Sequence, residues 1–383
     1  MDIHGLCDPR FSSLRDEFRR NFEERGEIGA SLCVTLNGSP VVDLWGGVTD
    51  RYSRSPWERD TLGVVFSCTK GAVAFCALLL ASRGKLDLDA PVADYWPEFA
   101  VNGKDGIPVC WLLTHQSGLP AIRAPLRPGD ALDWGIMTQH LARETPWHPP
   151  GTRQAYAAGT FGHLVGEVVR RVAGRPLEQF FRDEIADPLG LDFYLGLSES
   201  DESRVAPTIK PDLTPPGEPI WLFLRSARND PTGIQGTMMN NSGRAMGDTD
   251  SRAAHAAVLP SSGGITNARG LAGMYAPLAC GQLLDRAILR RATSVQSATA
   301  IDATLLVGMR FGLGFMLSSD NRRGPEGARD SLILSSTAFG HAGMGGSIGF
   351  ADPAWRLSFG YTMNKQGRGV LLNLYRCLGA ESC

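Results

Sequence analysis

Strand signals stand at both ends of this chain, and the middle reads as helix. Ala30 to Leu36 and Val41 to Trp45 flank Asn37-Gly38, the dipeptide that favours a two-residue hairpin turn. Near the other end, Ser347 to Phe350 and Leu357 to Met363 flank Asp352-Pro353, and Val370 begins a last element read as a helix. Between them, Gly71 to Arg83, Gly159 to Ala173 and Leu177 to Ile185 carry helical patterns, with Gly174 and Pro176 as stop and restart. Phe11, Leu14, Phe18 and Phe22 recur at helical spacing, so residues 9–25 read as an amphipathic helix. This layout predicts an α/β fold of the α+β type, an antiparallel sheet built from both termini and flanked by helices beside a mainly helical region. The expected division is a discontinuous sheet region, 1–85 with 260–383, and a helical region, 86–259, together forming one catalytic unit. Residues 207–263 are rich in Pro, Gly, Asn and Ser but carry Trp221, Phe223 and Leu224. Within them, about 207–259 is expected to be a long loop covering a pocket.

Composition narrows the function classes. The 383 residues carry a net charge of −2, which gives no reason to expect nucleic acid or an acidic membrane as partner. No run of eighteen apolar residues occurs, and the N-terminus lacks an apolar signal core, so a soluble cytoplasmic protein is expected. The eight cysteines show no CxxC spacing, which argues for reduced, mostly buried thiols. The histidines show no HExxH spacing, so neither a metal nor another cofactor is expected. Lysines are few (Lys70, Lys85, Lys104, Lys210 and Lys365), which makes each one informative.

Ser67 stands just ahead of the apolar helix, with Lys70 three residues on and on the same helix face. A serine at a helix start can simply cap it. It can equally sit where backbone N–H groups favour developing negative charge. Burial behind the apolar helix would favour the neutral amine of Lys70, able to take the serine proton. Ser-x-x-Lys alone is weak, with on the order of one chance match in a few hundred residues. Ser82-Arg83-Gly84-Lys85 also matches, but at a helix end, where no helix start is available to it. Cys68 lies near the same helix start, where a thiol pKa can fall, although the lysine spacing points to Ser67.

Three further segments follow in order. They are Leu112 to Pro120 (LLTHQSGLP), Pro150-Gly151-Thr152 with Ala155 to Gly159 (AYAAG), and His341 to Ser347 (HAGMGGS). With Ser67-x-x-Lys70 they resemble the serine β-lactamase and penicillin-binding-protein superfamily over about residues 28–375. The likeness is greatest to its class C-like branch, which holds the family VIII-type carboxylesterases and related transacylases. The resemblance implies a β-lactamase/transpeptidase-like fold, Ser67 as the acylated nucleophile and Lys70 as its activating lysine. Tyr156 matches the tyrosine that shares proton transfer. His341-Ala342-Gly343 stands in place of a Lys-Thr-Gly motif, and the backbone N–H groups of Ser67 and Met344 match the oxyanion hole. Ala158, Gly343, Trp221 and Phe223 are the expected substrate-binding residues. A tyrosine near an ammonium is expected to lose its proton more easily, as half of a coupled pair with Lys70. His115 reads as a structural histidine in a turn.

Two departures shape the expected activity. Ala158 replaces the asparagine of the family's Tyr-x-Asn motif, and His341 and Ala342 replace the lysine and threonine of Lys-Thr-Gly. The groups that hold a β-lactam's amide and carboxylate are therefore missing. The expected function is a carboxylesterase acting on small esters, with water resolving the acyl-enzyme. A transacylase with an amine or alcohol acceptor is the alternative; β-lactamase, D-amino-acid peptidase and a non-catalytic ligand-binding scaffold rank behind. The expected partner is a small ester or amide, with no nucleic acid and no membrane.

Overall fold

In this computed structural model, which describes residues 2–212, 221–369 and 371, both ends of the chain join one sheet. Three strands lie near the N-terminus: β1 (Ile3–Cys7), β2 (Gly29–Leu36) and β3 (Ser39–Gly47). Short strands β4 (Gly63–Val64), β5 (Phe193–Leu195) and β6 (Gly264–Thr266) follow. The C-terminal third supplies β7 (Ser297–Thr299), β8 (Met309–Phe311), β9 (Met316–Leu317), β10 (Phe339–Ala342), β11 (Ile348–Asp352) and β12 (Leu357–Met363). The large antiparallel sheet runs β1-β3-β2-β12-β11-β10-β9-β8-β7, and β4-β6-β5 form a small second one. The seam between the chain ends is β2 against β12, in register from Leu36 with Leu357 to Ala30 with Met363.

The hairpin forms where its turn chemistry demands. Asn37 (φ 53°) and Gly38 (φ 82°) both take the left-handed conformation that a type I′ turn requires. Strand β1 has no sequence counterpart above. It is a sheet edge with a largely exposed residue pattern, so it shows no apolar alternation to read.

Five helices frame the site: α1 (Ser12–Glu23), α2 (Thr69–Ser82), α3 (Phe161–Ala173), α4 (Leu222–Asn229) and α5 (Ala268–Ala279). Alternation in β2 serves two of them, because successive side chains point to opposite faces. Ala30, Leu32 and Val34 join Phe18 of α1 in one apolar cluster, while Cys33 meets Ala268 and Ala272 of α5. The α5 face of the sheet carries small polar residues. Ser31 bonds Thr362 and Thr35 bonds Ser358, each at 2.7 Å, and Ser358 Oγ also donates to the Ala272 carbonyl. Gly360 lets α5 lie flat there, since a Cβ on it would come within 2.2 Å of the Ala268 carbonyl oxygen.

Helix α2 is buried on every side from Thr69 to Leu80, which explains why its sequence is apolar all round rather than striped. Val73, Phe75 and Leu78 to Leu80 each contribute about 2 kcal/mol by leaving water. The helix packs against α3 on one side and against β10 on another, so its first turn sits where sheet and helices meet.

The segment expected to be a cover loop is, where described, a run of short helices. These are α4, Ile234–Thr237, a π turn at Met238–Ser242, Gly243–Met246 and Arg252–Ala256. Asp230 and Ser251 accept local N–H bonds at the breaks, so the Gly, Asn and Ser residues punctuate helices instead of forming open loop. The helical span 86–259 also contributes β5 to the small sheet. The helix expected from Val370 falls outside the described residues apart from Leu371. Among the described residues no helix is long and apolar enough to cross a membrane.

Candidate active site

Ser67 occupies the turn between β4 and α2. Phe66 before it has φ 45°, a conformation costing an L-residue on the order of 1–2 kcal/mol. Packing holds it there. The Phe66 ring is buried with Leu62, Val64, Leu197 and Ile265, and Thr69 Oγ1 donates to its carbonyl at 2.5 Å. The strained residue turns the chain sharply, leaving Ser67 partly exposed while its neighbours are buried.

Lys70 has no exposed surface, and its Nζ lies 3.1 Å from Ser67 Oγ. Nζ also donates to the carbonyls of Ala158 and Ser261, both at 2.8 Å. Burial, with no carboxylate partner among the described residues, pulls its pKa down to about 7. Cys68 shows the opposite effect of the same burial. Its Sγ donates to the His341 carbonyl at 3.2 Å, and the thiol is pushed up to about 12, so burial overrides any lowering by the helix start.

Tyr156 is brought to the same place. Its ring lies 5.0 Å below Lys70 Nζ and 4.7 Å from the ring of His115. Burial pushes the phenol's pKa up, and the facing Ser67 hydroxyl only partly offsets this. The expectation of an easily ionised tyrosine is therefore reversed, because desolvation of a phenolate dominates and Lys70 has already lost its charge at the pH where the phenol would titrate. His115 is structural, as its turn position suggests. Its Nδ1 accepts the Ala157 N–H at 3.1 Å and its carbonyl accepts the Ala155 N–H at 2.9 Å, so it shapes the segment carrying Tyr156.

His341, on β10, is buried and neutral. Its Nδ1–H donates to the Ala342 carbonyl at 2.8 Å, leaving the Nε2 lone pair without a partner among the described residues, and burial followed by Lys70 depresses its pKa to about 3. The turn after it closes on the start of α2. A Cβ on Gly343 would lie 2.3 Å from the Val65 carbonyl, to which Ser347 Oγ donates at 3.1 Å. Met344 projects outward, 43 % exposed. Among the described residues the backbone N–H groups of Ser67 and Met344 donate no hydrogen bond to the protein. Trp221 and Phe223, stacked at 4.8 Å, join the apolar cluster containing Tyr156, with Ala158 packed against it.

Two residues here carry no sequence motif of their own. Ser261 lies in Ser261-Ser262-Gly263-Gly264, composition that reads as loop, yet its carbonyl holds Lys70 and its Oγ accepts the Gly162 N–H at 2.8 Å. Asp302 accepts the Tyr156 N–H from a distant turn, and nothing near it in sequence announces this.

A sheet closed from both chain ends, with a serine just ahead of a buried helix packed against it and a lysine on that helix's first turn, defines a class of serine hydrolases. The chain belongs to the Beta-lactamase family, which it matches over residues 15–376. It is similar to "Esterase/beta-lactamase LipL" of Mycobacterium tuberculosis, with 34% identity over 371 residues, 95% of this chain and 83% of that protein. Its structure resembles a family VIII carboxylesterase (TM-score 0.84, 34% identity, 98% of this chain and 97% of the other). It also resembles EstA from Arthrobacter nitroguajacolicus Rue61a (TM-score 0.83, 31% identity, 99% and 96%).

Proposed function

We propose that this protein is a serine carboxylesterase that hydrolyses small uncharged esters through an acyl-enzyme at Ser67. The carrying observation is the setting of Lys70, buried, without a carboxylate among the described residues, and bonded to Ser67 Oγ and two carbonyls. A neutral amine has two N–H groups and one lone pair. The carbonyls of Ala158 and Ser261 take the two N–H groups, which leaves the lone pair aimed at the Ser67 hydroxyl. Lys70 accepts that proton as Oγ attacks the ester carbonyl carbon. The N–H groups of Ser67 and Met344 receive the oxyanion. Tyr156 stays a neutral phenol facing Ser67 and passes the proton from Lys70 to the departing alkoxide, which leaves as the alcohol. Water then attacks the acyl-serine, Lys70 takes its proton, and the acid leaves as Ser67 recovers its hydrogen.

The substrate class follows from charge. His341 is neutral and offers a lone pair to a substrate donor, and about half of Lys70 is neutral near pH 7. Neither provides the fixed positive charge that would hold a substrate carboxylate, which favours neutral esters over β-lactams. The esterase names of similar proteins support this reading. Mixing the enzyme with a short-chain p-nitrophenyl ester should release a burst of nitrophenol equal to the enzyme present and leave an acyl mass on the Ser67 peptide. No release and no adduct would defeat the proposal. Adding an alcohol or amine and finding most acyl groups on it would replace water by that acceptor.

A further inference from the structure

The side chain of Asp302 is fully buried and is met by N–H donors from two separate segments. Its Oδ1 and Oδ2 accept the Tyr156 backbone N–H at 3.1 and 3.0 Å. Oδ1 also accepts the N–H groups of Thr304 (2.9 Å) and Leu305 (2.8 Å), and Gln154 Nε2 reaches Oδ2 at 3.4 Å. The Ala303 N–H donates to the Gln154 carbonyl at 3.0 Å, tying the same two segments again. Two residues beyond Tyr156 lies the Ala158 carbonyl that holds Lys70. One carboxylate thus anchors the stretch of chain that delivers both the phenol and a lysine-orienting carbonyl.

We propose that Asp302 is a positioning residue for the acylation step, its carboxylate clamping residues 154–158 so that the Tyr156 phenol stays aligned with Ser67 and Lys70. This rests on the roles assigned above to Tyr156 and Lys70. The residue type is specific to the task, because an ionised carboxylate is acceptor-only and converging N–H groups need acceptors. An asparagine would turn an NH₂ group toward one set of donors and release that side of the clamp. A misplacement of about 1 Å at a reacting group is enough to cost about 100-fold in rate.

The test measures kcat and KM for a short-chain alkyl ester, whose alkoxide needs the proton and makes acylation limiting, normalised to active sites counted by the p-nitrophenyl ester burst. Full-length Asp302→Asn and Asp302→Ala are compared in the wild-type and Tyr156→Phe backgrounds. The expected result is a kcat loss of about 10- to 100-fold with KM changed less than about threefold, shrinking to under about threefold in the Tyr156→Phe background. Gln235→Leu is the control for general loosening. Its Nε2 donates to the Ala303 and Thr304 carbonyls at 2.8 Å, holding the same turn without touching Asp302. It should lower Tm and leave kcat within about threefold of wild type.

An Asp302 loss equally large in both backgrounds, no loss at all, or the same kcat loss from Gln235→Leu would each overturn the positioning role. Failure of both Asp302 variants to fold would also overturn it, by assigning the residue to the fold instead. A harmless Tyr156→Phe would mark failure of the catalytic reading itself, and the positioning role with it. An additive Asp302 loss on top of a damaging Tyr156→Phe would sink the positioning role alone.

Discussion

The two ends of helix α2 carry the same four-residue pattern and have opposite fates. At the front, Ser67 and Lys70 are enclosed by β10, the Tyr156 segment and the Ser261 carbonyl. At the back, Lys85 stands in solvent, and Ser82 is a structural acceptor for the Asp285 N–H at 3.0 Å. Gly84, with φ 67°, ends the helix there and carries the chain away from Ser82. The contrast teaches that spacing supplies reach, while chemistry depends on what surrounds the amine. Walling an amine in without a counter-charge favours its neutral form, which is what lowers the pKa of Lys70.

The largest expected effect uses this contrast directly. Ser67→Ala should lower kcat by about 10⁵-fold in ester hydrolysis, and Ser82→Ala should leave kcat unchanged while costing about 1 kcal/mol in a denaturant titration. Equal kinetic loss at both serines would break the comparison. Next, Tyr156→Phe should lower kcat by about 10²- to 10³-fold if the phenol passes the proton.

The pH profile sharpens the same point. With Lys70 held near 7, kcat/KM should rise tenfold per pH unit below that value and level off above it, a limb absent when Lys70 is replaced. Its folded pKa lies below its unfolded one, so between about pH 7 and 10.4 the unfolded chain binds the extra proton and stability rises with pH. Relative to Lys70→Met, wild type should therefore gain on the order of 4 kcal/mol from pH 6.5 to 10.5. A flat difference would mean that the amine stays charged inside the fold. The smallest effects concern the glycines at the two ends. A Cβ on Gly71 would lie 2.3 Å from the Tyr275 hydroxyl, so Gly71→Ala should cost about 2 kcal/mol. Gly84→Ala meets open space and should cost about 1 kcal/mol, from its positive φ alone.

Much of the frame was legible because its signals are local. Asn37-Gly38 announces a turn that needs two left-handed residues, and the unbroken apolar run of α2 announces a helix with no wet face. Elements whose residues serve neither period were not legible. Edge strand β1 exposes most of its side chains, and the short helices between 222 and 256 are broken by the residues that normally mark loops. At the site, Ser67, Lys70, Tyr156 and His341 could be named from motif order. The Ser261 carbonyl and the Asp302 clamp could not, since a backbone acceptor or a lone acidic residue leaves no pattern.

From its residues alone the chain settled which groups are available, a hydroxyl and an amine one turn apart and a phenol and an imidazole far along. Tertiary structure decided their protonation. Burial drives Lys70 and His341 toward neutrality and Tyr156 away from phenolate, reversing the sequence expectation for the tyrosine. The reason is that a pKa reports the water and charge around a group, and those are contributed by segments hundreds of residues apart that meet only when the chain is folded.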